Sequence, residues 1–168
     1  MCPALRSIQV KRRIGASLQV NRVGPQMRKF ATSLMAYEAR GTQSLDARAA
    51  AFFAVSEKLR PQLAMLTGTG GHRALLTRAL ALAKAEVVWL RAVRVSADGS
   101  LEGIEKPQAR IQPNALFEGR VVLLARLLGL LVAFIGQDLT LRLVRDVWPE
   151  VPLDGLEFGT GDEDEKTE

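Results

Sequence analysis

The sequence predicts an all-α fold, a bundle of about four helices carrying one short β-hairpin around Asp98-Gly99. Three observations point there. Apolar residues recur at three- and four-residue spacings along most of the chain, the mark of helices buried on one side. Aromatic residues are only 5% of the 168, whereas Ala, Leu and Arg abound, which suits helices and leaves a β-sandwich short of the residues its strands prefer. Residues 121–135 hold a single charge, Arg126, so a helix there is apolar nearly all round and must lie inside a core or a bilayer.

Taken in order, the first helix is expected from Met27 to Arg40. Phe30, Leu34 and Tyr37 step by four and three, and Gly41 can take the left-handed conformation that closes a helix. Arg28 and Lys29 fall in its first turn, where the helix dipole disfavours cations, so this end is expected to fray. A second helix starts near the N-cap candidate Ser44, with Phe52, Val55, Leu59, Leu63 and Leu66 on one face. Pro61 interrupts it and is expected to kink it, because proline removes a backbone bond and crowds the carbonyl of Glu57.

The third helix is expected from Gly71 to Val93, with Leu76, Leu80, Ala83, Val87 and Leu90 facing the core and Arg73, Thr77, Lys84 and Arg91 facing away. A loose glycine-rich joint, residues 67–71, separates it from the second. Ser96-Ala97-Asp98-Gly99-Ser100 lies between short alternating runs, and Asp-Gly there signals a hairpin, with Glu102 and Glu105 as solvated acids. The last helix opens at Asn114 after Pro113 and runs to Trp148 before Pro149, with a break or bend at Gly136-Gln137-Asp138. Its small residues Ala125, Gly129 and Ala133 form a strip at four-residue spacing that predicts a second backbone crossing closely. Residues 127–135 are expected to be the most deeply buried segment.

Charge divides the chain into three. Residues 1–26 hold five basic residues and no acid and read as a flexible extension; Met27 is an equally good start. Residues 27–153 form the single helical domain. Residues 154–168 hold seven acids against one lysine, a glycine-containing like-charge run that reads as a disordered acidic tail. The extension lacks the apolar segment of a secretory signal. The lone cysteine, Cys2, excludes an intramolecular disulfide and fits a reducing cytoplasm.

Catalytic chemistry finds little support. One histidine and one cysteine give no ligand cluster, so no metal or other cofactor is expected, and no nucleophile motif accompanies His72. The one loop with a chemical look, ending Gly70-Gly71-His72-Arg73, feeds a helix start and is a candidate anion site. It lacks the Gly-Lys-Ser/Thr ending of a P-loop and the third glycine of a dinucleotide fingerprint. A flexible connection with a surface or capping histidine is the plainer reading.

The expectation is a non-catalytic interaction or regulatory protein, not an enzyme, that binds another protein or a second copy of itself through helix faces. One alternative is a DNA-binding regulator using the basic surface of Arg73, Arg78, Lys84, Arg91 and Arg94. Another is a membrane-associated protein using the apolar helix of residues 121–137. The longest uncharged run there, residues 127–137, is 11 residues long, well short of the roughly 20 a spanning helix needs, so a membrane partner is disfavoured.

Overall fold

The computed structural model describes residues 23–40, 45–103 and 110–153, with residues 45–50 described by their backbone alone. Helix α1 is Pro25–Glu38, α2 is Leu45–Glu86, α3 is Pro113–Ile135 and α4 is Gln137–Val147. A short 3-10 turn, Val88–Ala92, leads from α2 into an antiparallel hairpin of β1 (Arg94–Val95) and β2 (Leu101–Glu102). The all-α bundle with its small hairpin is therefore present. Among the described residues no helix is long and apolar enough to cross a membrane.

Helix α1 buries Phe30, Ala31, Leu34 and Met35 on one face. It opens at Pro25, whose missing N–H is harmless in a first turn. Val23 also joins the core, so packing begins four residues before Met27. The first turn is formed from Pro25 onward. Arg28 pairs with Glu86 at 3.0 Å and reaches Glu118 at 3.6 Å, and these carboxylates offset the dipole at that end. The proposed caps Gly41 and Ser44, the extension up to residue 22, Glu105 and the acidic tail lie outside the described residues.

Helix α2 stays helical through Pro61, and the break comes instead at Gly68, with φ 73° and ψ 167°. That region of backbone space is essentially open to glycine alone. The two legs, 45–67 and 69–86, run in opposite directions along α3. On the first leg Phe53 lies by Arg120 and Leu66 by Phe134. On the second, Leu75 and Arg78 lie by Phe134 and Glu86 by Arg126. The loose joint expected over residues 67–71 is thus a reversal made by one residue. Phe52, Val55, Leu59 and Leu63 are buried as their spacing predicted, whereas Leu66 at the tip is half exposed.

The second leg ends at Glu86, not at Val93, and its continuation tightens into the 3-10 turn that buries Leu90. Trp89 in that turn donates its indole N–H to the carbonyl of Ala115 at 3.1 Å. Helix α3 starts at Pro113 with Gln112 as its cap residue, so Asn114 lies inside the helix. Gly136, at φ 86°, ends α3 and begins α4, which breaks the last helix where the sequence suggested. Trp148 is buried and donates to the Glu38 carboxylate, which also pairs with Lys58.

The burial of α3 differs from expectation. Its most buried part is residues 119–128, all buried but the half-buried Arg126. Beyond Leu128 only Leu131 is buried, while Ala133 and Phe134 are exposed. The early part is enclosed by α1 and both legs of α2. The later part runs past the start of α1 and keeps one side open.

Candidate interaction surface

Apart from Val88 in the 3-10 turn, the large apolar residues left exposed lie near the tip of α2 and the junction of α3 and α4. Met65 is 84% exposed and Phe134 68%, with Leu66 and Leu139 also standing out. A groove of about 340 Å3 lies between Leu66 and Phe134, lined also by Thr67, Gly71, Ala74, Leu75 and Arg78. Contiguous apolar surface left in water and rimmed by polar groups is a mark of binding surfaces.

The small-residue strip runs from the enclosed part of α3 into its open part and behaves differently from the expectation. Ala125 is buried, Gly129 half-buried and Ala133 exposed, and a Cβ placed on Gly129 would meet nothing within 4 Å. No helix crosses there. A cleft of about 620 Å3 takes its place, walled by the start of α1 (Val23 to Met27), Leu82 of α2, and Ala125, Arg126, Gly129 and Leu130 of α3. The close approach occurs elsewhere on α3, at Gly119, where a Cβ would fall 2.4 Å from the Trp89 indole.

Glu86 forms the floor of charge beside that cleft. Its side chain, 8% exposed, accepts from Arg28, from the backbone N–H of Val23 at 3.2 Å and from Arg126 Nε at 2.8 Å. One carboxylate at the end of α2 thus ties α1 and α3 to it, and two guanidiniums offset its position at the negative end of a helix. Nothing in the sequence singled out Glu86, because its partners are 58 and 40 residues away.

The candidate anion residues, one turn of α2, face different surroundings. Gly70 and Arg73 are exposed, and Gly71 lines the apolar groove. His72 is only 4% exposed, turned beneath the hairpin so that a Cβ on Gly99 would lie 3.2 Å from its Nδ1. The plain reading of His72 as a surface or capping side chain is therefore corrected. Burial, aided by the Arg60 charge and opposed by Glu57, pushes its pKa below the ordinary value.

The turn above His72 is built by Asp98, whose carboxylate accepts from both hydroxyls of Ser96 and Ser100 and from the Ser100 N–H at 3.0 Å. These donors, the Ser96 hydroxyl foremost, hold Asp98 well below the usual carboxylate range. Arg60 on the first leg of α2 donates to the Asp98 carbonyl, clamping the hairpin to the bundle.

Sequence reasoning also passed over Arg120, which is buried in the middle of α3 with its guanidinium 5.9 Å from the Phe53 ring. The basic residues Arg73, Arg78, Arg91 and Arg94 are all exposed, with Lys84 half-buried. Among the described residues no group of three His, Cys, Asp or Glu is placed to hold a metal ion. No family model, curated protein or solved structure matches this chain.

Proposed function

We propose that this is a non-catalytic interaction protein that receives an apolar helix of a partner protein, or of a second copy of itself, at the end of the bundle built by Met65, Leu66, Phe134 and Leu139. The observation that carries this reading is Phe134, a full aromatic side chain in water beside an apolar groove on helix faces with no cover from the fold. Helix-in-groove recognition uses such a surface, with anchors at helical spacing entering apolar pockets. A cytoplasmic location belongs to the same reading and rests on the lone Cys2.

The DNA-binding alternative has less behind it. The two legs of α2 run in opposite directions, whereas helix-turn-helix readers cross at about 90–120°.

A photo-crosslinking residue at position 134 tests the proposal in cells, with one at the exposed Arg91 as control. Discrete protein adducts formed from position 134 and not from 91 are expected, and Phe134→Asp is expected to remove them for a crosslinker at Leu139. Light scattering of the purified chain separates a self-adduct from a foreign one. A monomer that crosslinks equally from both positions, or from neither, would overturn the proposal.

A further inference from the structure

Arg120 presents a problem that the apolar surface does not address. The residue is 2% exposed, and neither Nε nor Nη2 has a hydrogen-bond partner among the described residues. Phe53 offers a ring face 5.9 Å from the guanidinium carbon. A ring face attracts a cation but accepts no directed N–H bond from Nε or Nη2, and it returns far less than water removed from a charge. A buried lysine in this position could shed its proton. Arginine cannot, because even with burial drawing its pKa down the guanidinium stays charged.

The pattern of the two free donors is specific. Nε–H and Nη2–H point the same way along one edge of the guanidinium, the edge that grips two oxygens of a carboxylate or phosphate side-on. Next to it, Gly119 is pressed against the Trp89 indole, itself pinned to the Ala115 carbonyl, so the backbone that carries Arg120 is held firmly. Phe53, beside the guanidinium, is itself only half-buried. We propose that the Nε/Nη2 edge of Arg120 is an oxyanion-binding site, taking a carboxylate or a phosphate group in a two-point contact. It lies roughly 20 Å along α3 from Phe134, at 1.5 Å per residue, and is separate from the interaction surface.

The oxyanion has two possible sources, a small anion from solution or a carboxylate carried by the chain. Thermal unfolding of the full chain in inorganic phosphate or acetate, against chloride at equal ionic strength, separates them. Wild type, Arg120→Lys and Arg120→Met are compared. For a solution anion, phosphate or acetate raises the wild-type midpoint beyond chloride. Arg120→Lys, which keeps the charge and loses the fork, binds about tenfold more weakly, and Arg120→Met shows no specific response. For a carboxylate of the chain itself, no anion-specific shift appears, yet Arg120→Lys melts above Arg120→Met because the charge still meets its partner.

Two results overturn the proposal. One is an anion response that persists undiminished in Arg120→Lys, which also decides the matter if Arg120→Met does not fold. The other is no anion response together with Arg120→Met melting at or above Arg120→Lys.

Discussion

Two glycines on the same helix should answer alanine in opposite ways. At Gly119 a new Cβ would lie 2.4, 2.6 and 2.7 Å from Cζ2, Cε2 and Nε1 of Trp89. All three atoms belong to one rigid ring system, so no rotation of a side-chain end relieves the clash. The indole must swing away and give up its bond to the Ala115 carbonyl. Overpacking of this kind costs about 1–3 kcal/mol, and the lost hydrogen bond about 1 kcal/mol more. Better helix propensity returns about 1 kcal/mol. Gly119→Ala should therefore destabilise by about 1–3 kcal/mol, or roughly 2–12 °C in a chain of this size.

At Gly129 nothing lies within 4 Å of the added methyl, and the residue is half-buried inside α3. Only the propensity gain remains, so Gly129→Ala should stabilise by about 0.5–1 kcal/mol. Urea denaturation followed by circular dichroism measures both, and near-ultraviolet dichroism reports whether Trp89 has moved. A Gly119→Ala variant as stable as wild type, or a Gly129→Ala variant less stable, would refute the placement of Trp89 and the cleft.

Glu86→Gln should destabilise by about 3 kcal/mol, since it leaves the largely buried Arg126 without its carboxylate; Arg28→Ala, at a half-exposed position, should cost less than about 1 kcal/mol by the same denaturation assay. Gly68→Ala should cost about 1–3 kcal/mol through backbone strain alone, because no atom lies within 4 Å of the new methyl. For His72 the folded pKa is depressed, so the unfolded chain binds the proton more readily and stability falls as pH drops below about 6.5. Unfolding titrations between pH 5 and 8 should show that loss in wild type and a flatter profile in His72→Gln.

The helices were legible in the sequence wherever the apolar period was unbroken. Phe30, Leu34, Phe52, Val55, Leu59, Leu63, Leu76, Leu80 and Ala83 are all buried as their spacing implied. The Asp98-Gly99 hairpin was legible for a local reason too, since its turn is held by Ser96 and Ser100 within the same five residues. What depended on distant partners was not. A strip of Ala125, Gly129 and Ala133 says that a backbone can approach, not that one does. The all-round apolar surface of residues 121–135 forecast burial, yet the fold covers only its first half. Glu86, Arg120 and His72 gave no local sign of their surroundings, because each is placed by elements far away in the chain.

The reversal at Gly68 leaves the chain no slack. Most helix pairs are joined by several residues that can absorb an insertion or deletion, but here a single residue sets the direction of the second leg. Adding one residue at that point would turn everything after it by about 100° on the helix wheel. Leu76, Leu80 and Ala83 would then leave the core together, and Glu86 would miss both of its arginines. Length at position 68 should therefore be held more strictly than residue identity is held at most core positions. A library of insertions scanned along α2 should show its sharpest intolerance at the tip of the bend, in an exposed place where chains ordinarily accept them most freely.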